Sequence, residues 1–175
     1  MKSGLKKIAI VGPESSGKST LTIELAKRFR CTAVPEMART YLQERGGLYS
    51  ENDLKAIARL QVDAEEAAAD EDSGLLICDT SLLVIRIWSE VRFGRCTPEI
   101  LIEEEERQYD LTLLTFPDLP WEPDPLREHA EGREGLFQLY YRALLRKSKP
   151  FAVITGYGEQ RTRKAEGKIS LILGI

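Results

Sequence analysis

Short apolar runs alternate with longer stretches of mixed character along most of the chain. Five of these runs, residues 5–11, 32–34, 75–78, 111–115 and 151–155, are short and mostly apolar. Such runs read as strands covered on both faces, the mark of a parallel sheet. The intervening stretches carry apolar residues at helical spacing. Residues 20–28 read as a first helix. A second is expected from Ser50 as N-cap, with Asp53 in place of the usual Glu or Gln of a capping box. Its apolar positions include Leu54, Ile57, Ala58, Leu60 and Ala64, its charges over 65–70 predict a solvated face, and Gly74 is expected to end it. Leu83, Ile87 and Val91 mark a third helix over 82–92. A fourth is expected over 98–108 and an amphipathic fifth over 136–149, stopped by Pro150. Strands alternating with helices predict an α/β fold around a parallel sheet.

The stretch Phe116-Pro117-Asp118-Leu119-Pro120-Trp121-Glu122-Pro123-Asp124-Pro125 cannot be a regular element. It opens a charged segment over 126–133, in which Asp124 and Pro125 read as an N-cap and first helical position. Surface loops of this length often carry function. At the other end, residues 167–175 are apolar and lack the amphipathic helix expected after a last strand.

Composition narrows the classes. The 175 residues suit one domain over 1–175. A net charge of −3 argues against general nucleic-acid binding. No apolar stretch reaches membrane-spanning length, and residues 8–11 are too short for the apolar region of a signal peptide. A cytoplasmic location and no membrane partner are the expectations. Cys31, Cys78 and Cys96 are scattered and read as reduced thiols, with Cys78 in the core. His129, the one histidine, lies in the charged segment and reads as a surface residue.

The most informative chemistry is G-P-E-S-S-G-K-S over residues 12–19, a G-x-x-x-x-G-K-[ST] loop between a strand and a helix. Gly12 and Gly17 permit the tight curl that turns successive backbone N–H groups toward an anion. Glu14, Ser15, Ser16 and Thr20 complete the candidate phosphate-binding set, and the helix start adds its own N–H groups. Lys18 can reach the β- and γ-phosphates of ATP, and Ser19 can ligate Mg²⁺. The apolar run ending in Asp79 has the Walker-B pattern, so Asp79 is a candidate to hold Mg²⁺ or accept a proton at the sheet's C-terminal edge.

Glu36 follows a short strand and reads two ways: an exposed helix-start carboxylate, or a carboxylate facing the phosphate acceptor. Arg39 is a candidate to orient Glu36 or contact substrate, or a surface residue. Arg127 and Arg133 read either as part of a solvated charged helix or as charges brought to a transferring phosphoryl group. Trp88, Trp121 and Tyr109 are candidates to stack on a base; the helix around Trp88 favours a core reading, whereas Trp121 in the proline loop is the better ligand candidate or a pin for the loop. Arg161, after the last strand, is a candidate to stack on adenine or an ordinary helix residue.

Together these segments resemble the nicotinamide riboside kinase domain of NadR-type proteins, within the P-loop kinase and AAA-type ATPase-like family. The resemblance rests on G-P-E-S-S-G-K-S-T-L over 12–21, P-E-M-A-R-T-Y over 35–41, C-D-T-S over 78–81 and W-S-E-V-R-F-G over 88–94. It continues with Y-D-L-T-L-L over 109–114, P-W-E-P-D-P-L-R over 120–127 and G-x-x-x-x-R over 156–161. It implies a three-layer P-loop NTPase sandwich with a five-stranded parallel sheet and a lid over about 117–135. It also implies ATP and Mg²⁺ as cofactors and phosphorylation of the 5′-hydroxyl of a small riboside, nicotinamide riboside. Under it Glu36, Arg39, Asp79 and Trp121 face the substrate, Lys18, Glu36 and Asp79 are catalytic, and Arg127 and Arg133 become catalytic lid arginines. Larger NadR-type proteins carry an adenylyltransferase domain and some a DNA-binding domain; neither is expected here. The alternatives are a kinase of another nucleoside or small metabolite, or an ATP-binding regulatory ATPase.

Overall fold

The computed structural model describes residues 4–69, 74–127 and 131–175. Five strands form one sheet: β1 (Lys6–Val11), β2 (Thr32–Val34), β3 (Leu75–Asp79), β4 (Leu111–Thr115) and β5 (Phe151–Ile154). All neighbours pair in parallel, in the order β2-β3-β1-β4-β5. Ile8, Ala9, Ile10 and Val11 are fully buried because β1 lies between β3 and β4 and helices cover both of its faces. That explains why the strands read as apolar runs rather than as alternating patterns.

The helices are α1 (Lys18–Phe29), α2 (Met37–Glu44), α3 (Glu51–Ala69), α4 (Leu82–Phe93), α5 (Pro98–Glu106), α6 (Arg133–Lys147) and α7 (Gly158–Leu173). On one face α1 and α7 pack Leu21, Leu25, Ala165 and Ile169 onto Ile8, Ile10, Ile77 and Leu113. On the other, α4 and α6 pack Leu83, Ile87, Phe137 and Tyr140 onto Ala9, Val11 and Leu114. A further layer of α2, α3 and α5 closes over α4 through Leu42, Leu54, Ile57 and Ile100. This is the expected α/β sandwich.

Asp53 caps α3, accepting bonds from the backbone N–H and hydroxyl of Ser50 at 2.8 and 2.7 Å. With the Tyr41 hydroxyl these donors pull its pKa down to about 2. Cys78 is fully buried as expected.

Four expectations need correction. Residues 167–173 do continue a helix: α7 runs to Leu173 and buries Ala165 and Ile169. Its stripe was hidden because Arg161 and Thr162 occupy the next two buried positions. The charges after residue 64 are not all solvated, since Glu65 is 1% exposed. Its carboxylate accepts from the Tyr109 hydroxyl and pairs with Arg107, while burial raises its pKa. Asp124 caps no helix; its Oδ1 accepts from the Leu126 N–H at 2.9 Å in a single turn, and α6 begins later, at Arg133. Helix α2 was not anticipated, because its apolar stripe is only Ala38 and Leu42. The readings for Asp70 and His129 lie outside the described residues.

Candidate active site

In a parallel sheet every strand delivers its following loop to one edge. Here that edge carries residues 12–17 after β1, Glu36 after β2, Asp79 ending β3, Phe116 to Asp118 after β4 and Gly156 after β5. A cavity of about 290 Å³ opens beside it. Residues 12–20, Glu36, Arg39, Leu119, Pro120, Glu122 and Arg127 line one part, and Leu42, Ile87, Trp88, Leu136 and Tyr140 line the apolar remainder.

The loop has the backbone its sequence requires. Gly12 lies at φ 144° and Gly17 at φ 78°, where residues with a Cβ are strained. The Ser16 hydroxyl is fully buried, donating to the Pro13 carbonyl at 2.6 Å and lying 2.6 Å from the Thr115 hydroxyl. Thr115 in turn donates to the Val11 carbonyl at 3.1 Å. Lys18 folds over the loop, with Nζ donating to the Gly12 and Pro13 carbonyls at 3.1 and 2.9 Å. That sets a cation beside the N–H groups at the start of α1.

Asp79 is 3% exposed and stands behind Ser19, from which it accepts a hydrogen bond. Its Oδ1 is buried without a partner. Burial raises its pKa, against the lowering effect of Ser19, Lys18 and Arg39. Asp79 therefore backs the loop rather than lining the cavity wall. Glu36 is the residue before α2, is partly buried rather than exposed, and lines the cavity. Burial raises its pKa too; the charges of Asp79 and Glu14 act in the same sense, and Lys18 and Arg39 oppose them. Burial thus favours the protonated form of Glu36 at the cavity wall. The Met37 N–H, next along, donates to Oε1 of Gln61, a residue that is 1% exposed.

Arg127 and Arg133 both reach Ser15. Arg127 donates to its hydroxyl at 3.4 Å and to the Glu122 carbonyl, and Arg133 donates to its carbonyl at 3.2 Å. Arg133 also bonds the Leu119 carbonyl at 3.0 Å. Arg39 pairs with Asp124 at 2.8 Å, joining α2 to the loop that carries Arg127. The guanidiniums of Arg127 and Arg133 lie 5.9 and 5.8 Å from the Trp121 ring centre. Trp121 is held by the arginines and is not on the cavity wall.

Besides Asp79 and Trp121, which were expected to face the substrate and do not line the cavity, two further placements differ from the sequence reading. Trp88 is not simply core: it lines the cavity, and its indole N–H donates to the Tyr49 hydroxyl at 2.9 Å. Arg161 presents no open face for an adenine. It is 4% exposed and its guanidinium is occupied by protein oxygens. Residues the sequence reading passed over are Thr115, Gln61, Tyr140 and Asp118. Only Asp118 carried a signal, as the first acidic residue after β4.

The trifunctional NAD biosynthesis/regulator protein NadR of Salmonella typhimurium is 31% identical over 129 residues, which is 70% of this chain. The match spans 31% of that relative, so the chain covers under a third of its length. A solved NadR protein in complex with NAD and AMP-PNP superimposes with a TM-score of 0.78 at 19% identity, over 99% of this chain and 51% of that one. A deoxyadenosine kinase of M. mycoides superimposes with a TM-score of 0.66 at 16% identity, over 95% of this chain and all of that one. At these identities the superpositions show the fold. A family described as an AAA domain matches residues 7–161, and the chain belongs to that family.

Proposed function

We propose that this chain is an ATP-dependent kinase that phosphorylates the 5′-hydroxyl of nicotinamide riboside, giving nicotinamide mononucleotide. One observation carries the kinase reading: a phosphate loop, the Glu36 carboxylate and Arg127 line one cavity, and Arg133 bonds the same loop at Ser15. The choice of riboside is supported by the likeness to NadR proteins, one of them solved in complex with NR.

In this reading the triphosphate lies along residues 12–20 and Lys18 leaves its loop carbonyls for the β- and γ-phosphates. The riboside occupies the apolar part of the cavity with its hydroxyl toward Glu36. The hydroxyl oxygen forms the new P–O bond as the bond between the γ-phosphorus and the β–γ bridging oxygen breaks. ADP leaves, and the hydroxyl proton goes to Glu36. Arg127 and Arg133 act as lid arginines on the phosphoryl group and help to exclude water. Mg²⁺ fits the residues present: the Ser19 hydroxyl and the unpartnered Asp79 Oδ1 offer it hard oxygen donors at the loop. When bound it would offset negative charge on the phosphates. The test is ATP consumption measured across a panel of nucleosides, with product masses. Phosphorylated nicotinamide riboside is expected; ATP turnover unchanged by every acceptor would refute the reading.

A further inference from the structure

Arg161 gathers three of the loops that form the sheet's active edge. It sits in the first turn of α7, and its guanidinium donates to the carbonyls of Ser16 at 2.7 Å, Phe116 at 3.0 Å and Gly156 at 2.8 Å. It also pairs with Asp118 Oδ1 at 2.7 Å. Those carbonyls belong to the loops after β1, β4 and β5. Asp118 completes the knot, its Oδ2 accepting from the Gly156 N–H at 2.6 Å. Nε, the remaining donor, is buried without a partner.

The bond to Ser16 has a consequence for phosphate binding. Across a trans peptide the carbonyl and the next N–H point in opposite directions. Holding the Ser16 carbonyl toward α7 therefore aims the Gly17 N–H away from α7. The Ser16 side chain is fixed separately, by Pro13 and Thr115. Gly17 is at φ 78°, so its peptide plane is set by such contacts rather than by side-chain bulk. A planar guanidinium with five donors makes all four of these bonds at fixed angles; a lysine ammonium has three donors and cannot replace them all.

We propose that Arg161 and Asp118 are positioning residues for the phosphoryl donor. They act through the Ser16 carbonyl to hold the phosphate loop in its binding shape, and they make no contact with the nucleotide base. The proposal rests on the ATP-binding reading above but not on the identity of the acceptor.

The test uses Arg161→Lys and Asp118→Asn in the full chain. ATP affinity is measured by calorimetry, adenosine affinity by competition, and thermal melting alongside. Misaiming a backbone N–H that bonds a charged phosphate costs about 10- to 100-fold in affinity. We expect ATP affinity to fall by about that factor while adenosine affinity holds. Equal loss of ATP and adenosine would identify Arg161 as a base contact and overturn the proposal. So would a lowered melting temperature with ATP affinity unchanged, which marks a merely structural pair. Asp118→Asn preserves side-chain volume and carries the test if Arg161→Lys does not fold. Because calorimetry needs no acceptor, a wild-type chain that binds ATP but phosphorylates no riboside would refute the kinase reading alone.

Discussion

Gly12→Ala tests whether the loop's shape is set by close backbone approach. A Cβ at Gly12 would lie 2.3 Å from the Thr115 hydroxyl oxygen, 2.8 Å from the Thr115 carbonyl oxygen and 3.3 Å from the Ser16 hydroxyl. The hydroxyl cannot turn away freely: Thr115 is fully buried, and its Oγ1 is bonded to Val11 and Ser16. The carbonyl is backbone and cannot rotate at all without moving β4. Overpacking of this kind costs about 1–3 kcal/mol. The backbone at φ 144° adds roughly 1–3 kcal/mol of strain for a residue with a Cβ. The sum, about 2–6 kcal/mol, corresponds to a melting temperature lower by roughly 5–20 °C for a chain of this size. ATP affinity should fall with it, because the same movement displaces Ser16. Circular dichroism melting and calorimetry with ATP measure both. Gly12→Ala combined with Thr115→Ala should recover only part of the loss, since the carbonyl contact remains. Gly135→Ala, with nothing within 4 Å and an ordinary φ, should leave both values unchanged or raise the melting temperature slightly. A Gly12→Ala chain that melts within about 2 °C of wild type and binds ATP normally would refute the reasoning.

Three further outcomes are expected. Lys18→Ala should lower turnover about 10²–10³-fold with melting unchanged, read by steady-state kinetics; unchanged turnover in the folded variant refutes it. Burial raises the pKa of Glu36 and Asp79 in the folded chain, so folding favours their protonated forms. Their stabilising contribution is present below the ordinary carboxyl range and is lost as pH rises through the raised values. Glu36→Gln and Asp79→Asn should therefore raise the melting temperature near neutral pH, with the gain vanishing near pH ~4. A lower melting temperature at neutral pH counts against this. In kinetics Asp79→Asn should weaken the Mg²⁺ dependence, whereas Glu36→Gln should spare ATP binding and damage transfer. Arg127→Ala and Arg133→Ala should lower kcat far more than ATP affinity, and equal losses in both would remove the arginines from the transition state.

The strands were legible to within one residue at either end because full burial leaves a simple signal, an apolar run with turn residues beside it. The loop at 12–19 was legible for a related reason: its chemistry depends on consecutive backbone groups, so sequence neighbours are also spatial neighbours. Glu36 and Asp79 followed, since residues after parallel strands share one edge. Strand order is not written in any local pattern; β1 sits centrally because β3 and β4 flank it. Local charge also misled. Glu65 reads as solvated from its neighbours, yet Tyr109, 44 positions away, satisfies it in the interior. Arg161 reads as a ligand contact or an ordinary helix residue, yet it meets the Ser16 carbonyl 145 positions away. Apolar burial is favourable by composition alone, so hydrophobic runs announce their place in the fold. A buried charge is tolerated only when specific partners reach it, and those partners meet only once the chain has folded.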